Sequence, residues 1–222
     1  MTIDDTLAPA SGEGQGAPIW SAATLPWRLA EIACAGALAG VVMILLWLNV
    51  RPDLTSAAAS PFFWIKEAYP ASIAVCALIG ATRLARRQWG GGVALCLAGV
   101  AACAMLIAAA VEGASLSPAA LRILYWPNAL VCMGDILVIA APMLVLTTIG
   151  LRDVDLIRPA PTGLACGLFC GGVAAAVDGL HCWQGTYAFV GLWFTLAMLV
   201  SGGLGAGAIK LLARRRRFLA GE

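Results

Sequence analysis

The stretch CWQGTYAFVGLWFTLAMLVSGGLGAGAI (182–209) contains no Asp, Glu, Lys, Arg or His, and KLLARRRR (210–217) follows it at once. A helix needs about 20 mostly apolar residues to cross the hydrocarbon of a bilayer. This run is long enough, and the cations behind it are what keep the end of such a helix on the cytoplasmic side. The rest of the chain has the same character. Of its 222 residues, 61% are hydrophobic and 12% charged, against roughly 45–50% and about 25% in soluble domains. Mean hydropathy is +0.89. These values exclude a cytosolic enzyme, a disordered tail and a secreted disulfide scaffold, and they predict a polytopic membrane protein.

Outward from the last run, the apolar segments are 29–49, 64–84, 91–111, 129–150, 162–180 and 189–211. They are long and continuous rather than alternating stretches of about ten residues, so they predict helices and not a barrel. The expected fold is all-α: six transmembrane helices in an antiparallel bundle (29–211), preceded by a flexible segment (1–28) and followed by a basic tail (212–222). Segment 64–84 carries Lys66 and Glu67 near its start and Pro70 in its first turns, where N–H groups lack an intrahelical acceptor anyway. The N-terminus has Asp4 and Asp5, no basic region and no early apolar stretch, so a cleavable signal peptide is not expected.

Of the 14 Lys and Arg, only Arg51, Lys66 and Arg122 fall on one side of this arrangement. The positive-inside rule therefore puts both termini in the cytoplasm and loops 51–63, 112–128 and 181–188 outside. The cytoplasmic pieces are too short for a catalytic domain, and a net charge of +2 offers no field for direct nucleic-acid binding. Gly163, Gly167 and Gly171 recur every four residues, as do Gly36–Gly40 and Gly203–Gly207. Such faces let backbones approach closely. They read as packing inside one bundle, with a homo-oligomer face as the alternative.

Ionisable groups inside a span are functional candidates. Asp135 lies in the fourth segment and Asp178 near the outer end of the fifth, with Cys132, His181 and Cys182 at matching levels. Helical spacing of three or four aligns Cys132 with Asp135, and Asp178 with His181 and Cys182. Thiolate, imidazole and carboxylate suit a soft or borderline cation, so a heavy-metal ion is the candidate ligand. The two thiols could instead close a disulfide, or simply pack. Cys34, Cys76, Cys96, Cys103, Cys166 and Cys170 read as apolar packing, and no Cys-x-x-Cys occurs. The tail residues Lys210, Arg214, Arg215, Arg216 and Arg217 read first as a topology signal, and otherwise as a surface for anionic membrane lipids or an acidic protein partner.

Several of these stretches resemble the bacterial negative regulators of sigma F, a family of membrane anti-sigma factors. They are Arg51-Pro52-Asp53-Leu54, then Pro61 and Phe63-Trp64-Ile65-Lys66; a fourth helix with Cys132, Ile136 and Pro142; Arg158-Pro159-Ala160-Pro161-Thr162-Gly163; and Leu180-His181-Cys182 followed by Phe189 and Trp193. The resemblance runs from about residue 28 to 217. It implies a six-helix, multi-pass protein of the bacterial inner membrane, without enzymatic activity, that holds an extracytoplasmic-function sigma factor inactive. It also implies that Cys132 and Cys182 respond to oxidative or heavy-metal stress. Two positions depart from the family pattern: Gln184 stands where a Glu is usual, and Asp178 where an aromatic residue is frequent. A small transporter or exporter of metal ions is the competing reading. It would want polar groups along a continuous path, whereas here they gather at one end.

Overall fold

The structure, a computed structural model, describes residues 21, 23–48, 53–117, 128–152 and 154–220. Most of the N-terminal segment, Arg51, Pro52 and Arg122 therefore lie outside the described residues. Among the described residues there is no strand. The helices are α1 (Leu25–Met43), which runs into a π-helical turn (Ile44–Leu48), α2 (Leu54–Ala58), α3 (Pro61–Ala85), α4 (Gly91–Ser115), α5 (Asn128–Leu151), α6 (Pro159–Asp178), α7 (Tyr187–Phe189) and α8 (Thr195–Ala220). A π-helical turn, Val190–Phe194, joins the last two into one span. Among the described residues, six helices are long and apolar enough to cross a membrane.

Proline opens α1, α3 and α6, where its missing N–H costs nothing. Because α3 begins at Pro61, Pro70 is not in a first turn as the sequence suggested but in the helix interior. That start also sets Lys66 and Glu67 well inside the helix. The short α2, in the loop before α3, has no counterpart in the hydropathy reading. The tight α3–α4 connection takes left-handed backbone at Arg87 (φ 60°) and Gly90 (φ 91°).

α6 is the central element: 67% of its span is buried, against 17% for α1 and 22% for α4. Its glycines make this possible. A Cβ on Gly163 would fall on the Gly205 carbonyl of α8, and one on Gly167 would fall on the Ser201 carbonyl. The Ser201 hydroxyl donates to the Gly167 carbonyl at 2.8 Å across the same seam. Gly36 and Gly40 of α1 make room for side chains instead: Met143 of α5 at Gly36, and Val177 of α6 with Ile139 of α5 at Gly40. Gly203 and Gly207 depart from the expectation, since a Cβ at either would meet nothing within 4 Å. Cys34, Cys96 and Cys103 are likewise exposed rather than packed. Both departures share a cause. A helix in a bilayer is apolar on the face it turns to lipid as well as on the face it turns to protein, so composition does not tell the two apart.

Exposed Leu, Val and Ile cover the flanks of the helices, and exposed tryptophans mark their ends: Trp27 and Trp89 at one end, Trp64 and Trp183 at the other. At the Trp27 end, Arg86 donates to the Ala23 carbonyl (2.7 Å), Arg87 pairs with Asp155 (3.6 Å) and Arg216 donates to the Val154 carbonyl (3.1 Å). These contacts gather the start of α1, the end of α3, the α5–α6 connection and the end of α8. The sulfur-bearing site lies at the opposite end.

Candidate functional site

The site forms where α5 begins and α6 ends. α6 stops at Asp178, whose backbone carbonyl accepts from the His181 and Cys182 amides, each at 2.9 Å. This one carbonyl folds the chain into a tight turn that carries Cys182 back over the helix end. Beyond the turn, Thr186 caps α7 by accepting from the Phe189 amide (3.3 Å), and Glu112 of α4 accepts from the Ala188 amide (2.6 Å). The loop is thus pinned at both ends.

Cys132, one turn into α5, faces it. The two Sγ atoms are 3.3 Å apart, with the Cys132 thiol donating. Both cysteines are buried and free. A carboxylate oxygen of Asp178 completes a triangle with them, all three ligand atoms lying within 4.8 Å of one another. Asp178 is fully buried, and neither of its oxygens has a hydrogen-bond partner. A cavity of about 370 Å³ lined by Cys132, Asp135, His181, Cys182 and Gln184 leads to the sulfurs.

The residues singled out in the sequence therefore divide. Cys132, Cys182 and Asp178 come together. Asp135 and His181 line the same cavity but stand outside the group of three. Arg214, Arg215, Arg216 and Arg217 take no part in it: all four are exposed on the last turns of α8, at the far end of the molecule. Their place there follows from the length of α8, which carries the cations a full span away from the turn at Cys182. Cys166 and Cys170 are buried in α6, as expected for packing.

Lys66 and Glu67 of α3 are what the sequence reading missed. Lys66 is only 1% exposed, and its ammonium donates to the Cys182 backbone carbonyl. Glu67 sits against Gly179, where a Cβ would strike its carboxylate, and Glu67 Oε1 is buried without a hydrogen-bond partner. A Lys–Glu pair inside an apolar helix was the available signal. The Cys182 thiol is held below the usual range: the hydrogen bond from Cys132 lowers it most, burial opposes, and the Lys66 charge lowers it further.

The arrangement has the ingredients of a soft-metal or thiol–disulfide centre. Residues 15–214 match the family described as negative regulator of sigma F. The chain belongs to that family. It is 37% identical to the anti-sigma-F factor NrsF of Caulobacter vibrioides (strain NA1000 / CB15N), over 95% of this chain and 96% of that protein. It is 29% identical to the probable anti-sigma-F factor NrsF of Azospira oryzae (strain ATCC BAA-33 / DSM 13638 / PS), over 77% and 80%. No solved structure matches. In this member of the sigma F regulator family, the thiol pair occupies the end of the helices remote from the described arginines.

Proposed function

We propose that the chain is an integral-membrane anti-sigma factor. It sits in the bacterial inner membrane with both termini inside, holds an extracytoplasmic-function sigma factor at its arginine-rich end, and releases it when Cys132 and Cys182 react outside. The family and the relatives' names support the regulatory role. The observation that carries the sensing half is the 3.3 Å approach of two sulfurs at the end opposite the described arginines.

Two chemistries use the same atoms. In oxidation the sulfurs close to about 2.05 Å, two protons leave, and two electrons pass to the oxidant. In metal binding, two thiolates and the Asp178 carboxylate take one soft divalent cation, with bonds of about 2.3 Å to sulfur. Either event ties the start of α5 to the turn after α6. Cys132 and the α5–α6 connection that Arg216 engages lie at the two ends of α5. A change of tilt in α5 thus reaches the inner end, and it acts as a switch in so far as the sigma factor prefers one arrangement.

The test is co-purification. The cognate sigma factor should be retained by membranes carrying the native chain, and lost from them on exposure to a soft metal ion or an oxidant. The double variant Cys132→Ser, Cys182→Ser should still retain it but no longer release it. A sigma factor that never co-purifies sinks the regulatory reading. Normal release from the double variant sinks the sensing half.

A further inference from the structure

A second cavity, of about 500 Å³, opens at the arginine-bearing end between the α3–α4 turn and the start of α6. Two arginines from separate elements line it: Arg87 in the turn and Arg158, which immediately precedes α6. Arg83 adds a third guanidinium close by, since it lies where a Cβ on Gly90 would fall. Arg87 meets Asp155 at 3.6 Å, an exposed and therefore weak pairing. Arg158 has no ion pair among the described residues.

The backbone at this mouth answers to something other than packing. The Arg87 and Gln88 amides close the end of α3 on the Leu84 and Arg83 carbonyls, at 3.3 and 2.8 Å. A helix closed in this way places left-handed backbone just past its cap, where Gly is usual. Arg87 stands there instead, the only non-glycine residue with positive φ among the described ones. A side chain kept at a strained position points to a task for that side chain. Gly92 is the converse: its φ is not positive, and a Cβ on it would meet nothing within 4 Å. Neither conformation nor packing asks for glycine in that first turn of α4. Its bare backbone leaves the cavity open over amides that have no intrahelical acceptor.

Apolar surface adjoins these cations. Leu84, Val93 and Ile157 line the same cavity. From Val93 an exposed row runs along α4 through Leu97, Val100, Ile107 and Val111, at spacings that hold one helical face. Trp89 stands at the rim, almost wholly exposed, as aromatic residues do where hydrocarbon meets water. An acidic protein segment would match the arginines but not a row that extends the length of a membrane span. A charged head with an acyl tail matches both.

We propose that this cavity holds the headgroup of an anionic phospholipid, its phosphate between Arg87 and Arg158 and an acyl chain along the exposed row of α4. This rests on the helices spanning a bilayer, and it requires neither the sigma factor nor the sulfur pair. The bound lipid ties the α3–α4 turn to the α5–α6 connection.

The experiment extracts the full chain in a neutral detergent, adds equal amounts of phosphatidylglycerol and phosphatidylcholine, and counts bound lipids by native mass spectrometry. The native chain should retain phosphatidylglycerol in preference. In the double variant Arg87→Gln, Arg158→Gln its affinity should fall on the order of 30-fold, about fivefold for each arginine facing an anionic headgroup. The tail variant Arg214→Gln, Arg215→Gln should keep the native preference. Arg87→Gly separates binding from folding, because glycine suits the left-handed backbone. Its thermal unfolding in phosphatidylcholine nanodiscs should match that of the native chain, while the extra stability conferred by phosphatidylglycerol nanodiscs should shrink. Equal retention of the two lipids by the native chain overturns the proposal and leaves the anti-sigma reading untouched. Loss of the preference in the tail variant alone also overturns it. Release of the lipid by excess inorganic phosphate, or by a glutamate-rich peptide, overturns it in favour of a soluble anion or an acidic protein segment.

Discussion

Asp178 combines complete burial with two carboxylate oxygens that receive no hydrogen bond, a state that is costly unless something else takes the lone pairs. A cation bridging it to the two sulfurs would do so. Two thiolates, one carboxylate, a divalent ion and the Lys66 ammonium also sum to zero charge, which suits a site withdrawn from water. Asp178→Asn keeps the shape and removes one of these charges. Its affinity for Zn²⁺ or Cd²⁺, measured by titration calorimetry on the reduced chain, should fall on the order of 10–100-fold, while formation of the Cys132–Cys182 disulfide by a chemical oxidant should persist. Unchanged metal affinity would remove Asp178 from the ligand set. Cys132, Asp178 and Cys182 could be found in the sequence because helical spacing and span order put them at one level. Lys66 could not. Hydropathy began its helix at residue 64, which makes Lys66 a loop-edge cation, whereas the helix begins at Pro61 and carries Lys66 inward.

At Gly163 and Gly167 the α6–α8 seam presents backbone to backbone, with no side chain to yield. A Cβ on Gly167 would also lie 2.8 Å from the Gly202 Cα. Gly167→Leu must therefore push the two helices apart, at a cost of about 1–3 kcal/mol or more. Thermal unfolding of the chain in nanodiscs should show a clear loss of stability. Gly207→Leu, into open space, should leave it near the native value. Equal effects of the two would mean that the seam is not where stability resides. The four-residue glycine repeat was visible in the sequence for both helices, but which repeat meets protein and which meets lipid was not. That depends on the rotation of each helix about its axis, and an apolar sequence bounded by apolar surroundings does not specify it.

Among the described residues, the arginines and the Cys132–Cys182 pair stand at opposite ends of the helices, and this fixes what an orientation experiment should return. A fluorescent protein fused after Glu222 should fluoresce. Alkaline phosphatase fused after Ser117, between α4 and α5, should be active, because the positive-inside rule sends the arginine-bearing ends to the cytoplasm. The reverse pattern would place the thiol cavity inside the cell and overturn the proposal that it senses from outside.

The remaining cysteines make such work simpler than their number suggests. Cys34, Cys96 and Cys103 are exposed along the apolar flanks of the helices, Cys76 is half-buried within α3, and Cys166 and Cys170 are closed inside α6. In a bilayer, a charged alkylating reagent does not dissolve where such a thiol sits. To polar chemistry those sulfurs are silent, so the pair at the cavity can be counted in the unaltered chain, with no cysteine-free background to build.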